Sequence, residues 1–152
     1  MPKLYGLPVS DHVYQLNKHK IKASPRRCNT AATPAQRSEH DEQVELFAWA
    51  KRNMHRYPAL RLLHAIPNGG HRHKGVAAKL KAEGVRAGVP DVCLPVPRGR
   101  YCGLYIEMKV GRNTTTDKQA KWLERLADAG HMTAVCYSHV EASETIERYL
   151  HL

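Results

Sequence analysis

The feature that most constrains this chain is a pair of short apolar runs, 92–96 and 101–110, separated by Pro97-Arg98-Gly99-Arg100. Strand-forming residues on either side of a Pro/Gly turn read as a β-hairpin. With the turn centred on Gly99, Asp91 falls directly opposite Glu107. Like charges facing each other across a strand pair destabilise it, so the arrangement calls for a compensating cation or a raised pKa. Oxygen ligation by one or two carboxylates, with waters kept for a phosphate, is the style of Mg²⁺ rather than zinc, and Mn²⁺ is expected to substitute. Strand alternation puts Lys109 on the face of Glu107 and turns Ile106 and Met108 to the opposite side, into the core. An ammonium so placed can orient or help deprotonate an attacking water and stabilise the charge of a pentacoordinate phosphorane. Two acids and a base in this order suit phosphodiester hydrolysis. Glu-x-Lys also occurs on ordinary strands as a solvated ion pair of little energetic worth. The apolar Leu104, Ile106 and Met108 and the Pro90-Asp91 step favour the catalytic alternative.

Around the hairpin the pattern is regular. Ser38 is an N-cap candidate for a helix to about Asn53, with Val44, Phe47, Ala48 and Ala50 on its inner side. Leu60, Leu62 and Ile66 alternate as a strand ending at Pro67, and Asn68-Gly69-Gly70 is a turn. A second helix is expected over Lys74 to Glu83, stopped by Gly84. Thr114-Thr115-Thr116-Asp117 offers N-caps for a helix through Ala129 that turns Trp122, Leu123 and Leu126 inward, with Gly130 as its stop. Met132 to Tyr137 reads as a strand and Ser138 to Leu150 as a closing helix carrying Val140, Ile146 and Leu150. Helix, strand, helix, two strands, helix, strand, helix is the order of an α/β domain, a mixed sheet with helices packed on it.

The formal charge of +10 favours a polyanionic partner, with nucleic acid the first candidate. Residues 1–37 carry seven basic residues and one acid, a net +6, with no sustained apolar period. They read as a basic N-terminal arm ahead of a regularly patterned domain over 38–152. Cys28, Cys93, Cys102 and Cys136 form no CxxC pair and are expected to be reduced thiols. No secretion signal and no run of roughly 20 apolar residues is found, so a cytoplasmic protein without a membrane span is expected.

Pro90-Asp91 followed by Glu107-Met108-Lys109 resembles the PD-(D/E)XK nuclease superfamily. Ile66-Pro67-Asn68-Gly69-Gly70, Gly84-Val85-Arg86-Ala87-Gly88-Val89-Pro90-Asp91, Tyr105-Ile106-Glu107-Met108-Lys109 and Gln119 narrow the resemblance to its VRR-NUC family, over roughly Glu39 to Leu150. The resemblance implies a restriction-endonuclease-like fold and metal binding by Asp91 and Glu107. The Met108 carbonyl would add a ligand, and Lys109 would assist the nucleophilic water. It also implies an acid on the first helix, with Glu39 of Glu39-x-x-x-Gln43 fitting best and Glu42 next, and a helix glutamine, Gln119, that orients Lys109 or a phosphate. The activity implied is Mg²⁺-dependent DNA endonuclease action on branched structures such as Holliday junctions or flaps. Cutting both strands of a symmetric junction then makes a homodimer the expectation. A sequence-specific restriction-type enzyme is one alternative. A non-catalytic nucleic-acid-binding protein on the same fold is another.

His71-x-His73 lacks partners for a zinc site and reads instead, with Arg72 and Lys74, as a phosphate contact at a helix start. Arg98 at the hairpin tip and Arg112 after Lys109 are further candidate contacts, and Lys79, Lys81 and Arg86 either extend the basic track or form a solvated face. Trp49 and Trp122 sit at helical spacing among apolar residues, which favours core packing over base stacking.

Overall fold

The structure, a computed structural model, describes residues 37–67 and 74–152. The basic arm up to residue 36, and His71, Arg72 and His73, lie outside the described residues. Four α-helices and four strands are present among them: α1 (Glu39–Asn53), β1 (His64–Ala65), α2 (Lys74–Ala82), β2 (Val92–Leu94), β3 (Leu104–Met108), α3 (Asp117–Asp128), β4 (Met132–Cys136) and α4 (His139–Leu150).

The helix starts follow from local chemistry. Ser38 caps α1 by accepting the Asp41 N–H on its hydroxyl, while the Asp41 carboxylate accepts the Ser38 N–H. Glu39, Asp41 and Glu42 fill the first turn and Lys51 and Arg52 the last, each complementing the helix dipole. Thr116 caps α3 with the same reciprocal pair through Gln119, and the Ser138 hydroxyl caps α4 by accepting the Glu141 N–H.

The sheet runs β1-β2-β3-β4. β1 and β2 pair antiparallel, β2 and β3 form the hairpin, and β3 and β4 are parallel, joined through α3. Val92 pairs with Ile106, Cys93 with Tyr105 and Leu94 with Leu104, which is the register of a turn centred on Gly99. Both hairpin strands are shorter than their apolar runs, because Pro95 and Pro97 have no N–H to give the ladder. Beyond them only an isolated Arg98–Tyr101 bridge remains.

Leu104, Ile106 and Met108 on β3 are fully buried with Leu46 and Ala50 of α1 and Ala142, Ile146 and Tyr149 of α4. The Tyr149 hydroxyl is satisfied by the Val96 carbonyl at 2.5 Å, so a large polar side chain enters the core without an orphaned group. Cys93, Cys102 and Cys136 form no disulfide.

Three expectations are corrected. The segment expected as a strand over Leu60 to Ile66 is a 3-10 turn over Pro58–Leu62, set by a proline at its start, and only His64–Ala65 pairs with β2. Val44 is 53% exposed, and α1 instead buries Leu46, Ala50 and Glu42. Val140 is 51% exposed, whereas Ile146 on the same helix is fully buried. Ile146→Ala should therefore cost about 2 to 5 kcal/mol in urea denaturation, while Val140→Ala should stay within about 0.5 kcal/mol of the parent. Equal losses at the two positions would contradict this packing.

Candidate active site

Extending the hairpin register one residue beyond β2 brings Asp91 against Glu107. Asp91 is held by two contacts: its carbonyl accepts the Ile66 N–H at 2.7 Å and its carboxylate accepts the Met108 N–H at 2.9 Å. On the neighbouring face of β3, Glu107 is 0% exposed and Lys109 only 5% exposed. The surface ion-pair alternative is thereby excluded.

Lys109 donates from Nζ to Glu107 Oε1 at 2.7 Å and to the Met108 carbonyl at 3.0 Å, and Glu39 Oε1 stands 3.6 Å away. Its backbone N–H extends the parallel pairing to the Cys136 carbonyl at 2.8 Å. The first-helix acid near the lysine is thus Glu39. Glu42, a turn further on, accepts both the backbone N–H and Nδ1 of His139 at the start of α4.

Gln119 reaches Glu107 and not Lys109, a correction with a clear cause. Its Oε1 accepts the Thr116 N–H at 2.8 Å in the capping box of α3, which leaves the amide NH₂ to donate to Glu107 Oε1. Asn113 was not foreseen. It donates to Glu39 Oε1 at 3.1 Å, but in sequence it is only a turn residue two places after Gly111.

The electrostatics follow from burial. The Glu107 carboxyl is pushed up to about 7, first by burial, with the charges of Asp91 and Glu39 adding to it and the Lys109 contact opposing. Asp91 is raised for the same first reason, held partly in check by the Met108 N–H and Lys109. Burial works against the Lys109 ammonium, but the hydrogen bond and charge of Glu107, with Glu39 and Asp91, outweigh it and raise its pKa. Lys109 is therefore an ammonium at neutral pH.

Glu107 Oε2 is buried and has no hydrogen-bond partner among the described residues. An orphaned carboxylate oxygen beside a second carboxylate fits a hard divalent cation. No group of three or more His, Cys, Asp or Glu side chains able to hold a metal is gathered among the described residues. Asp91 and Glu107 offer oxygen donors alone, the chemistry of a hard cation that keeps several of its waters. The Met108 carbonyl, the third expected ligand, is the one that accepts Lys109.

The segment carrying Asp91 is pinned on α3 by Gly88. Its φ is +89°, and a Cβ there would lie 2.8 Å from the Lys118 backbone carbon. Only glycine permits this approach. Lys74 begins α2, though its side chain is not among those described. Arg112 is exposed in the turn after Lys109. Arg98 is not brought to the site: it lies at the opposite end of the hairpin, where its guanidinium donates to the Pro97 and Leu150 carbonyls.

A mixed sheet that presents two carboxyls and a lysine on adjoining strands defines an α/β domain of the restriction-endonuclease type. Residues 32–140 match the VRR-NUC domain, and the chain belongs to that nuclease family. A solved structure described as a VRR_NUC domain protein is similar, with a TM-score of 0.65 at 30% identity, covering 76% of this chain and 90% of that one. No curated protein matches the chain.

Because Glu107 binds its proton more tightly when folded, at about 7 against an ordinary 4.5, its effect on stability turns unfavourable as pH rises between those values. In EDTA, Glu107→Gln should gain stability relative to the parent from pH 5 to pH 8, by on the order of 2 to 3 kcal/mol. A difference independent of pH in denaturation curves would contradict the burial argument.

Proposed function

We propose that this nuclease-family chain is a Mg²⁺-dependent DNA endonuclease, selective for branched DNA such as Holliday junctions or flaps and acting as a homodimer. The observation that carries the reading is the buried Glu107 carboxyl, tied to Lys109 and set against Asp91, with one oxygen left without a protein partner. Asp91 and Glu107 would hold the cation, with Glu39 reaching the same cluster through Lys109. A bound Mg²⁺ supplies Lewis-acid polarisation of the phosphate and a lowered pKa for the attacking water. Gln119 and Lys109 both donate to Glu107 Oε1, which fixes the carboxylate and leaves Oε2 for a cation. Lys109, as an ammonium, serves best by stabilising charge that develops on the phosphate rather than by taking a proton. Asn113 keeps the Glu39 carboxylate beside it.

DNA as the substrate is supported by the family and by the +10 charge, +6 of which lies in residues 1–37. Arg112 adds an exposed cation three residues after Lys109, and Lys74, with His71, Arg72 and His73, is assigned phosphate contacts from sequence. The dimer follows from the need to cut two strands of a symmetric junction. No helix among the described residues is long and apolar enough to cross a membrane, and cytoplasmic residence is part of the proposal.

Labelled duplex, single-stranded, flap and four-way substrates, each with Mg²⁺ and with EDTA, test the reading. Cutting of the branched substrates that depends on Mg²⁺ is expected. Asp91→Asn and Glu107→Gln should abolish cutting but leave DNA binding largely intact, and Lys109→Ala should slow it about 10²- to 10³-fold. Cleavage that persists in EDTA would overturn the metal assignment. Cutting of plain duplex at one sequence would indicate a restriction-type enzyme, and binding without cutting a non-catalytic binder.

A further inference from the structure

The two tryptophans have different surroundings. Trp49 packs against the hydrophobic core, whereas Trp122 is half-buried and lines a pocket of ≈ 340 Å³ with Ile66, Pro67, Val85, Arg86 and Val89. This volume is at the small end of the range for ligand pockets, about 300 to 1,000 Å³, which suits one planar ring system. The pocket borders the backbone that carries Asp91 and the helix that carries Gln119. Ile66 donates its N–H to the Asp91 carbonyl, and Val89 lies two residues before Asp91. Trp122 follows Gln119, the Glu107 partner, by one turn of α3, so the two side chains share a helix face. Gly88 presses this same segment onto Lys118 of α3, and the pocket opens one turn further along the helix.

We propose that this pocket receives one unpaired nucleobase of the DNA, stacked on Trp122, beside the phosphate held at Asp91 and Glu107. An indole face offers stacking to any base, and every base has a π-face, so the contact is tolerant of sequence and selective for a base free of its partner. A paired base cannot enter without leaving the duplex. Arg86, exposed at the rim, supplies positive charge for the phosphate of the same nucleotide. Because the inference takes its polymer from the nuclease reading, it is tested by binding without cleavage.

In a Trp49→Phe background Trp122 is the sole tryptophan. Its fluorescence is followed in EDTA during titration with a flap oligonucleotide, with a flap of equal length and charge that has abasic sites in its unpaired part, and with plain duplex. The base-bearing flap is expected to quench Trp122 and bind about ten-fold more tightly than the abasic flap, a ratio that stacking of one base supplies. Plain duplex should leave the emission unchanged. Trp122→Phe should keep most of the preference and Trp122→Leu should remove it, while Arg86→Gln should weaken both flaps alike. Equal quenching and equal affinity for the two flaps would overturn the proposal, and that comparison needs no substitution at Trp122. Base discrimination in a protein that cuts nothing would leave the pocket standing and remove the nuclease reading. Cutting without discrimination would do the reverse.

Discussion

Glu107 is a carboxyl group at the centre of a sheet, closed off from water, with a second carboxyl across the hairpin. Burying a charge is costly unless it is paired and hydrogen-bonded. The chain answers with Lys109 and Gln119 on one oxygen and nothing on the other. The remaining imbalance appears as a raised affinity for a proton, at about 7. A site that prefers a proton at one oxygen is also one that a divalent cation can occupy by displacing it. On the proposed reading, the same imbalance weakens the metal-free fold and prepares the site for a cation.

Much of the surrounding architecture serves to hold that cluster. β3 is buried on its other face by α1 and α4, which fixes the strand that carries Glu107. Gly88 fixes the Asp91 segment to α3 by an approach that no side chain would permit. The α3 capping box orients the Gln119 amide before it meets Glu107. Each device is local chemistry, and the active-site geometry is where the three coincide.

Sequence reading reached the hairpin register because the turn at Gly99 and the strict alternation on β3 leave little freedom. Capping residues were legible for the same reason: Ser38 and Thr116 act on their own helices. Legibility ended where partners are distant. Alternating leucines at 60–66 look alike in a short 3-10 turn and in a strand; here Pro58 starts the turn, and only His64 and Ala65 find ladder partners on β2. Val44 and Val140 belong to apolar stripes wider than the faces that α1 and α4 bury. Glu39 and Glu42 share a helix end, yet one meets Lys109 and the other His139, a choice made by where α4 begins. Asn113 carries no signal until Glu39 is beside it.

On the proposed reading, the buried Glu107–Asp91 pair exchanges a proton for a divalent cation. Calorimetric titration of the metal-free protein with Mn²⁺ in buffers of different ionisation enthalpy measures that exchange directly. At pH 6, below the Glu107 value of about 7, binding should release close to one proton, and the release should vanish above pH 8. Glu107→Gln should bind weakly with no release at either pH. Binding of Mn²⁺ by the parent with no proton released at pH 6, or unchanged binding by Glu107→Gln, would contradict the account.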